Sequence, residues 1–382
     1  MSETHHRQSV IPRPAILQLV PALDTGGAER TTVDIAAALA KSGYGALVAS
    51  EGGRLAAELK QAGGELIVLP MASKSPVQMI ANAFALRDII HRRNVKLVHA
   101  RSRAPAWSGL LAAKMTGIPF IATYHGIYNA GHALKRFYNS AMVRGAAIIA
   151  NSQWTADHIA AEYGIAPERI TVIPRGVDLE TFDPVSVSPE RVAALRAQWG
   201  AKDGELVILL PGRLTRWKGQ LVLIAAMKQS NLPDARIVFA GDAQGRDAYR
   251  AELREAATGL NAVFAGHVND MAAAYLASDI VVSASTDPEA FGRVAAEAGA
   301  MGRAVIATDH GGARETVIGD VTGLLVPPGD AAALGRAIER LAKTGAEGRA
   351  GMGLKAGEHI RAHFTREKMC ADTLALYRRL TG

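Results

Sequence analysis

The residues with the most distinctive chemistry in this 382-residue sequence are two glutamates, Glu289 and Glu297. They lie in the stretch 287–297, which follows an apolar run at 280–284 and has Pro288 suited to a first helical turn. If the whole stretch were helical, the two carboxylates would lie about 12 Å apart along the axis and roughly 80° apart around it. They would then not share one proton-transfer site. We therefore expect Glu289 in a loop and Glu297 two turns into the helix, each reaching a different part of an extended ligand.

A ligand with hydroxyl and phosphate groups suits these residues. Carboxylates accept hydrogen bonds from paired sugar hydroxyls, and N–H groups at a helix start favour phosphate. Two cations support the same interpretation, since Arg213 and Lys218 stand on a loop at 211–219 directly after an apolar run. Arginine binds two phosphate oxygens and lysine acts as a point charge, so the loop suits a diphosphate. The loop lacks the Gly-x-x-x-x-Gly-Lys-Ser/Thr pattern, which argues against a P-loop NTPase.

Two glycine pairs, Gly26-Gly27 and Gly311-Gly312, also follow predicted strands. Glycine lets a ligand approach the backbone closely, and at a strand-to-helix turn it leaves N–H groups for an anion. No Gly-x-Gly-x-x-Gly opens a helix in the sequence, so the dinucleotide fingerprint is missing. The simpler interpretation of Gly26 and Gly27 is a plain tight turn. For the basic loop at 211–219, the simpler interpretation is solvated surface charge.

Strands must position these residues, because most of them directly follow a short β-rich run. The runs alternate with amphipathic, Ala-rich stretches such as 30–41 and 104–115, which predicts parallel sheets with helices on both faces. We expect strands at 15–20, 46–50, 66–69, 97–100, 120–123, 147–150 and 170–173, then at 206–210, 237–240, 263–264, 280–284, 304–307 and 323–326. A proline-rich break at 174–190 separates the two series. Ligands of such sheets lie beyond the carboxyl ends of the strands, and with two domains the natural place is the cleft between them.

The predicted organisation is therefore an α/β chain with two doubly wound domains. A disordered tail is expected at 1–14, an N-terminal Rossmann-like domain at 15–175 and a linker at 176–190. A C-terminal Rossmann-like domain is expected at 191–364, with a last helix at 365–382 packing on either domain.

Composition and charge limit the class of protein. With 49% hydrophobic and 21% charged residues the chain is globular, and its one cysteine, Cys370, excludes an internal disulfide and favours a reducing, cytoplasmic setting. The first 14 residues do not resemble a signal peptide, and no stretch nears the ~18 apolar residues of a membrane helix.

The net charge of +7 is biased to the N-terminal half by Arg87, Arg92, Arg93, Lys96, Arg101 and Arg103. Such a surface suits an anionic membrane or acceptor, with a solvated helix face as the simpler alternative. Nucleic acid is not expected, because no aromatics interleave with the basic residues.

Together the motifs resemble those of glycosyltransferase family four, the large retaining family with the GT-B fold. The match runs in the expected order: Gly26-Gly27-Ala28-Glu29-Arg30, Gly212-Arg213-Leu214 with Lys218-Gly219, Glu289-Ala290-Phe291-Gly292 with Glu297, and Gly311-Gly312-Ala313-Arg314-Glu315. The resemblance implies two Rossmann-like domains facing across a cleft, of which the first binds the acceptor and the second binds a nucleotide sugar, the UDP-sugar or GDP-sugar donor. It implies that Arg213 and Lys218 bind the diphosphate, Glu289 the sugar hydroxyls and Glu297 the ribose. The implied donor-binding set is Gly26, Gly27, Arg213, Lys218, Glu289, Ala290, Phe291, Gly292, Val294 and Glu297, with backbone N–H groups of 291–294 on the sugar and phosphate.

Three features of the N-terminal half and the linker bear on this resemblance. The family often places a histidine near the donor sugar and acceptor, which here is His125, although a lone histidine is more usually structural. Asn151-Ser152 follows the next strand, as is recurrent in the family at a helix start. The linker departs from the pattern, because Arg175 stands where the family more often has asparagine. Any donor contact of that asparagine is therefore in doubt.

The acceptor is expected on the N-terminal half. The segment 99–107 is basic and then apolar, and with the loop 124–128 it resembles bacterial members that build lipopolysaccharide or other envelope glycans. We therefore expect acceptor contacts from Arg101, Arg103, Tyr124 and Tyr128. A glycan or lipid-linked acceptor would explain the charge bias and implies peripheral contact with the anionic inner membrane.

The predicted chemistry uses neither a metal nor a cofactor. No Asp-x-Asp occurs, and no histidines show zinc-ligand spacing, so Arg213 and Lys218 are expected to neutralise the leaving diphosphate. The resemblance implies retention at the anomeric carbon, with the departing phosphate helping to deprotonate the acceptor hydroxyl. The predicted catalytic residues are His125, Glu289, Arg213 and Lys218. A sugar-nucleotide epimerase of the same fold and a non-catalytic sugar-nucleotide-binding protein remain as alternatives.

Overall fold

The structure is a computed structural model that describes residues 13–24, 26–128 and 131–382. The predicted tail at 1–14 lies outside the described residues except for Arg13 and Pro14. The chain divides into two compact units. Unit 1 comprises the described residues through Ala150 with Ala156–Ile173 and Cys370–Gly382, and unit 2 comprises Asn151–Thr155 and Pro174–Met369.

Unit 1 is built on a parallel sheet of seven strands. They are β1 Ala15–Leu19, β2 Gly45–Ser50, β3 Gly64–Val68, β4 Val95–Ala100, β5 Phe120–Tyr124, β6 Ala147–Ala150 and β7 Ile170–Val172, in the order β3-β2-β1-β4-β5-β6-β7. The helices in this part of the chain are α1 Gly27–Lys41, α2 Ala56–Gln61, α3 Pro76–Arg92, α4 Arg103–Thr116, α5 Ala133–Asn139 and α6 Gln153–Tyr163. Leu17, Leu19 and Val98 lie fully buried in its core.

Unit 2 repeats this plan with a parallel sheet of six strands. They are β8 Val207–Pro211, β9 Arg236–Ala240, β10 Asn261–Gly266, β11 Ile280–Ser283, β12 Ala304–Thr308 and β13 Gly323–Val326, in the order β10-β9-β8-β11-β12-β13. The helices are α7 Pro189–Gln198, α8 Gln220–Gln229, α9 Asp247–Ala256, α10 Met271–Ala277, α11 Arg293–Ala300, α12 Ala313–Thr316, α13 Ala331–Lys343 and α14 Gly345–His363. The last helix, α15 Arg366–Thr381, begins in unit 2 and continues into the residues of unit 1.

The predicted α/β class is confirmed, and each expected strand is present within a few residues. The predictions succeed best at central strands, since β8 and β11 are buried along their whole length and apolar but for Ser283 at the end of β11. The edge strand β10 is longer than the predicted run at 263–264 because its outer residues, from exposed Asn261 onward, are not a continuous apolar run.

The strand order places a switch point in each sheet. In unit 2 the chain proceeds outward from β8 in one direction through β9 and β10, and then continues on the other side of β8 with β11. The neighbours β8 and β11 pair in parallel register through Ile208 with Ile280 and Leu209 with Val281. The loops that follow these two strands therefore leave the sheet side by side, where ligands of doubly wound folds bind.

The segment after unit 1 is tied to the start of α15 by backbone contacts. Val177 N donates to Phe364 O at 2.8 Å, and Arg366 N donates to Val177 O at 2.9 Å. Gly176 is needed here, because a Cβ at this position would lie 2.3 Å from the Arg366 Cα. The predicted linker at 176–190 lies within unit 2, and its first residues pair with the start of α15 before α7 begins at Pro189.

The C-terminal residues contribute a buried polar contact to unit 1. Tyr377 Oη lies 2.6 Å from His99 Nδ1, and His99 Nε2 lies 2.7 Å from Thr123 Oγ1. Both rings are buried, and burial lowers the pKa of His99 well below its usual value. A neutral imidazole satisfies both contacts, with one ring nitrogen donating and the other accepting.

Candidate functional site

Two loops at the switch point of unit 2 are joined through their backbones. Thr286 N, after β11, donates to Trp217 O, in the loop after β8, at 2.7 Å. Gly219 closes the same contact with φ of 76°, and a Cβ there would lie 1.9 Å from Ala284 O. The close approach and the positive φ both require glycine, so the Lys218-Gly219 element of the sequence motif has a structural cause.

Lys218 and Glu289 form an ion pair where these loops meet. Lys218 Nζ lies 2.7 Å from Glu289 Oε1, and each side chain is 14% exposed. Ser285 Oγ donates to the same oxygen. Burial acts to raise the pKa of Glu289, but the charge and hydrogen bond of Lys218, the Ser285 hydroxyl and the Arg175 charge outweigh it, so the pKa lies below its ordinary value. Glu289 is therefore a carboxylate at neutral pH.

One oxygen of Glu289 remains available to a ligand. Within the part of the chain that the structure describes, Oε2 accepts no hydrogen bond, while Oε1 accepts two. A carboxylate with one oxygen held by protein donors and the other open is suited to accept hydroxyl protons in a fixed orientation.

The basic loop after β8 offers one cation without a protein partner. Arg213 is exposed, and among the described residues its guanidinium forms no hydrogen bond or ion pair. Arg216 differs, because it binds both oxygens of Glu252 at 2.9 and 2.6 Å. Arg213 is thus the cation of this loop that has no protein partner among the described residues, whereas Arg216 pairs with Glu252 and Lys218 with Glu289.

Gly311 and Gly312 support the Glu289 loop from the neighbouring strand. Gly312 N donates to Glu289 O at 2.8 Å. A Cβ at Gly311, where φ is 62°, would lie 2.4 Å from Glu289 O, and one at Gly312 would lie 2.6 Å from Ala290 O. These glycines were expected to allow close approach of a ligand. In the structure they allow close approach of the backbone that carries Glu289, and they hold that backbone in place.

Glu297 lies one helical turn after the start of α11. The helix begins at Arg293, after Gly292 with φ of 85°, so Glu297 is one turn into it. The expectation of two turns was wrong, because the positive φ of Gly292 keeps 289–292 out of the helix. The expectation that Glu289 stands in a loop is confirmed. The first N–H groups of any helix lack an intrahelical acceptor, so the start of α11 suits an anion.

The carboxylate of Glu297 is held by two side chains. Tyr275 Oη donates to Oε2 at 2.9 Å, and Arg293 Nε donates to Oε1 at 2.5 Å. Tyr275 is buried, and burial together with the nearby Glu297 charge raises the pKa of its hydroxyl well above the usual value. Sequence reasoning missed both Tyr275 and Ser285, since they precede the motif and no spacing connects them with it.

In unit 1 the structure brings three of the predicted acceptor residues together. The rings of Tyr124 and Tyr128 lie 4.5 Å apart between centroids, and the Arg103 guanidinium lies 4.5 Å from the Tyr128 ring. Arg103 also donates to Asn139 Oδ1 at 3.1 Å. His125 follows Tyr124 and is half-buried. Tyr124 itself is fully buried, so Arg103 and Tyr128 are the members of the set that reach the surface.

The structure corrects the expectation for Arg101. This residue is 3% exposed, and its guanidinium donates through Nε and Nη2 to Gln18 Oε1. Its backbone continues the line of β4, where Arg101 N donates to Leu19 O at 2.9 Å, so the side chain turns into the sheet layer. Arg101 therefore does not belong to the exposed basic surface and is removed from the acceptor set.

The glycines after β1 are less informative than expected. Gly26 has φ of 174°, an extended conformation open to any residue, and α1 begins at Gly27. A Cβ at Gly26 would meet only the flexible end of the Glu29 side chain. Thr25 lies outside the described residues. The role of Gly26 and Gly27 in donor binding stays a prediction.

Neither a metal site nor a membrane-spanning helix is found in the ranges described. Residues 13–24, 26–128 and 131–382 contain no group of three or more His, Cys, Asp or Glu side chains that could hold a metal ion. Across the same ranges, no helix has the length and apolar character needed to cross a bilayer.

Comparison with known proteins gives two family matches that cover most of the chain. Residues 25–181 match Glycosyltransferase Family 4, and residues 192–358 match Glycosyl transferases group 1. The chain is 32% identical to a D-inositol 3-phosphate glycosyltransferase of Xylanimonas cellulosilytica over 66% of this chain, and that match spans 65% of the relative's length. It is 32% identical to a GDP-mannose-dependent monoacylated alpha-(1-6)-phosphatidylinositol monomannoside mannosyltransferase of Corynebacterium glutamicum, covering 80% of this chain and 81% of that protein.

Solved structures show the same architecture. A glycosyltransferase from Rickettsia africae matches with a TM-score of 0.89 and 35% identity, over 96% of this chain and 98% of the other. Anabaena HepE, solved in complex with UDP and glucose, matches with a TM-score of 0.83 and 27% identity, over 95% and 99% of the two chains. The chain therefore belongs to the family-four glycosyltransferases, with the GT-B fold.

Proposed function

We propose that this chain transfers a hexose from a UDP- or GDP-sugar to a hydroxyl of a cell-envelope glycan or glycolipid, with retention and without a metal, in lipopolysaccharide or polysaccharide biosynthesis. The observation that carries the proposal is the Lys218–Glu289 ion pair at the switch point of the unit 2 sheet, on the same loop as Arg213, whose guanidinium has no partner among the described residues. It combines anion-binding cations with a carboxylate whose Oε2 is open to hydroxyls.

The proposed donor spans three groups of unit 2. Arg213 and Lys218 bind the diphosphate, Glu289 Oε2 accepts from the sugar hydroxyls, and Glu297 accepts from the ribose. Backbone N–H groups of 291–294 complete the contact with sugar and phosphate. The complex of the structural relative HepE with UDP and glucose supports a nucleotide-sugar donor.

In the proposed reaction, the bond between the anomeric carbon and the β-phosphate oxygen breaks as the acceptor oxygen bonds to the same face of that carbon. The acceptor proton passes to the departing phosphate. Lys218 and Arg213 stabilise the charge that develops on this phosphate, and Lys218, which Glu289 holds in place, needs little reorganisation when it forms. His125 is proposed to contact the donor sugar and acceptor, and Gly26 and Gly27 to let the donor approach the start of α1.

The acceptor proposal rests on the surface of unit 1. Residues 66–150 contain eleven basic residues, all but Arg101 outside the buried interior, and one acidic residue, Asp88. On α5, Leu134 and Phe137 are 78% and 59% exposed, and Phe137 lies 5.2 Å from the Trp107 ring. Apolar side chains beside basic ones suit the interface of an anionic bilayer. We propose a lipid-linked acceptor bound near Arg103 and Tyr128, and peripheral contact with the cytoplasmic face of the inner membrane. The phosphatidylinositol mannoside named for the Corynebacterium relative supports an acceptor of this kind.

The donor is tested by thermal shift with UDP-, GDP- and ADP-sugars. A bound donor at 100 times its Kd adds about 2.7 kcal/mol of stability. We expect a shift with UDP- or GDP-sugar that is lost in Arg213→Ala and kept in the matched variant Arg216→Ala. Equal shifts in both variants would remove Arg213 from the site, and no shift with any nucleotide sugar would overturn the proposal. Conversion of the donor without acceptor, followed by NMR, would instead favour an epimerase.

Membrane contact is tested by co-sedimentation with vesicles of phosphatidylethanolamine, with and without phosphatidylglycerol. We expect binding that depends on phosphatidylglycerol and falls in Leu134→Ser/Phe137→Ser. The control is Val185→Ser, at a position in unit 2 that is 91% exposed. Binding that does not depend on anionic lipid would contradict the proposed contact.

A further inference from the structure

The two side chains that hold Glu297 approach different oxygens of its carboxylate. Tyr275 donates to Oε2 from α10, and Arg293 donates to Oε1 from one turn earlier on α11. The Glu297 residue is only 7% exposed. Its orientation is therefore set by protein contacts before any ligand arrives.

Counting acceptor positions shows what remains for a ligand. A carboxylate has about four lone-pair positions on its two oxygens. Tyr275 and Arg293 use one on each oxygen, which leaves one on each. A vicinal diol supplies two O–H donors at adjacent carbons, one for each remaining position, and the 2′- and 3′-hydroxyls of a ribose are such a diol.

Tyr275 is itself firmly placed. Its helix, α10, begins after Asp270, whose carboxylate accepts from Ala273 N at 3.0 Å and binds Arg191 through two contacts of 2.8 Å. The Tyr275 ring is 1% exposed and packs 6.0 Å from the Phe182 ring. These contacts fix the position of the Tyr275 ring, and with it the position of the hydroxyl that donates to Glu297.

We infer that Tyr275 and Arg293 are positioning residues that lock the Glu297 carboxylate in the orientation that accepts both hydroxyls of the donor ribose. This inference rests on the proposed function, because it assumes a nucleotide donor whose ribose meets Glu297. It adds a residue outside the sequence motif, Tyr275, to the determinants of nucleotide recognition. Neither side chain touches the reacting atoms, so their effect falls on nucleotide affinity.

The test compares the affinities of UDP and 2′-deoxy-UDP by titration calorimetry, with GDP and 2′-deoxy-GDP alongside. A hydrogen bond to a charged group contributes enough for about a tenfold preference of the wild-type protein for the ribose form. We expect Tyr275→Phe to reduce this preference to less than about threefold by weakening UDP binding, with little change for 2′-deoxy-UDP. Arg293→Met should act in the same direction, and Glu297→Gln should abolish the preference. Tyr249→Phe is the matched control, since Tyr249 is also buried in unit 2 but its hydroxyl faces Gln220.

The outcomes separate this inference from the proposed function. An unchanged preference in both Tyr275→Phe and Arg293→Met would overturn the inference while leaving the donor site intact. A purely structural effect of Tyr275 would weaken UDP and 2′-deoxy-UDP equally and would also overturn it. If the wild-type protein bound no nucleoside diphosphate, the proposed function itself would fail.

Discussion

Replacing Glu289 by glutamine tests the proposed donor site most directly. The substitution keeps the shape of the side chain and an oxygen that accepts from Lys218 and Ser285, but it removes the negative charge. Because Glu289 is proposed to meet the sugar and Lys218 the diphosphate, the variant should separate two effects that truncation to alanine would mix.

The expected magnitude follows from the geometry of the pair. Two unit charges 2.7 Å apart attract by roughly 6 kcal/mol at an effective dielectric constant of 20. Desolvation of two side chains that are each 14% exposed offsets much of this attraction. What matters for catalysis is the loss of one charged contact to the transition state, which lowers the rate about 100- to 1000-fold. We therefore expect kcat/KM of Glu289→Gln to fall by at least ~100-fold, or about 2.7 kcal/mol.

The assay measures kcat/KM for sugar transfer together with the Kd of the free nucleoside diphosphate. In Glu289→Gln the Lys218 charge persists, so the Kd of UDP or GDP should stay within about threefold of the wild-type value while kcat/KM falls. Asp287→Asn is the matched control, because Asp287 is an exposed carboxylate of the same loop, and both constants should be unchanged. Near-normal turnover in Glu289→Gln would remove this residue from the site. An equal loss of nucleotide affinity would refute the division of roles between Glu289 and Lys218.

Three further predictions concern the glycine support, pH and metal. Gly312→Ala places a Cβ 2.6 Å from the Ala290 carbonyl oxygen, so it should displace the Glu289 loop and lower both Tm and kcat/KM; Gly351→Ala, where a Cβ has open space, should lower neither. His99 has a pKa well below its usual value in the folded chain, so the unfolded chain binds more protons as pH falls below about 6.5, and the free energy of unfolding should decline there. His99→Gln should flatten this pH dependence in denaturant titrations, and an unaltered slope would show that other groups cause it. Transfer activity should survive chelation by EDTA in full, and loss restored by Mg²⁺ or Mn²⁺ would overturn the metal-independent mechanism.

Much of the fold was predictable because its central strands are continuous apolar runs. β8 and β11 are buried on both faces, so the sequence has no polar alternation there, and the residues that follow them stood out as candidates for a site. Lys218 and Glu289 lie 71 positions apart in the sequence. That their loops lie close together could be predicted from neighbouring strands at a switch point, but the ion pair itself could not.

Other parts of the site depend on packing that no local pattern reveals. Arg101 appeared as one more member of a basic cluster, yet its position beside Gln18 in the sheet layer buries it. Tyr275 lies on a short Ala-rich helix with the composition of a packing element, and its hydrogen bond to Glu297 joins residues 22 positions apart on α10 and α11. Glu297 was placed one turn too far into its helix because the conformation of Gly292 was not anticipated.

The His99–Tyr377 contact has a consequence for how the chain is made. Unit 1 receives Tyr377 from a segment that a ribosome synthesises only after all of unit 2. During translation Tyr377 is therefore absent from unit 1 until some two hundred further residues have been synthesised. Until then the Nδ1 atom of His99 lacks the contact that Tyr377 provides. Unit 1 is thus begun before unit 2 and completed after it.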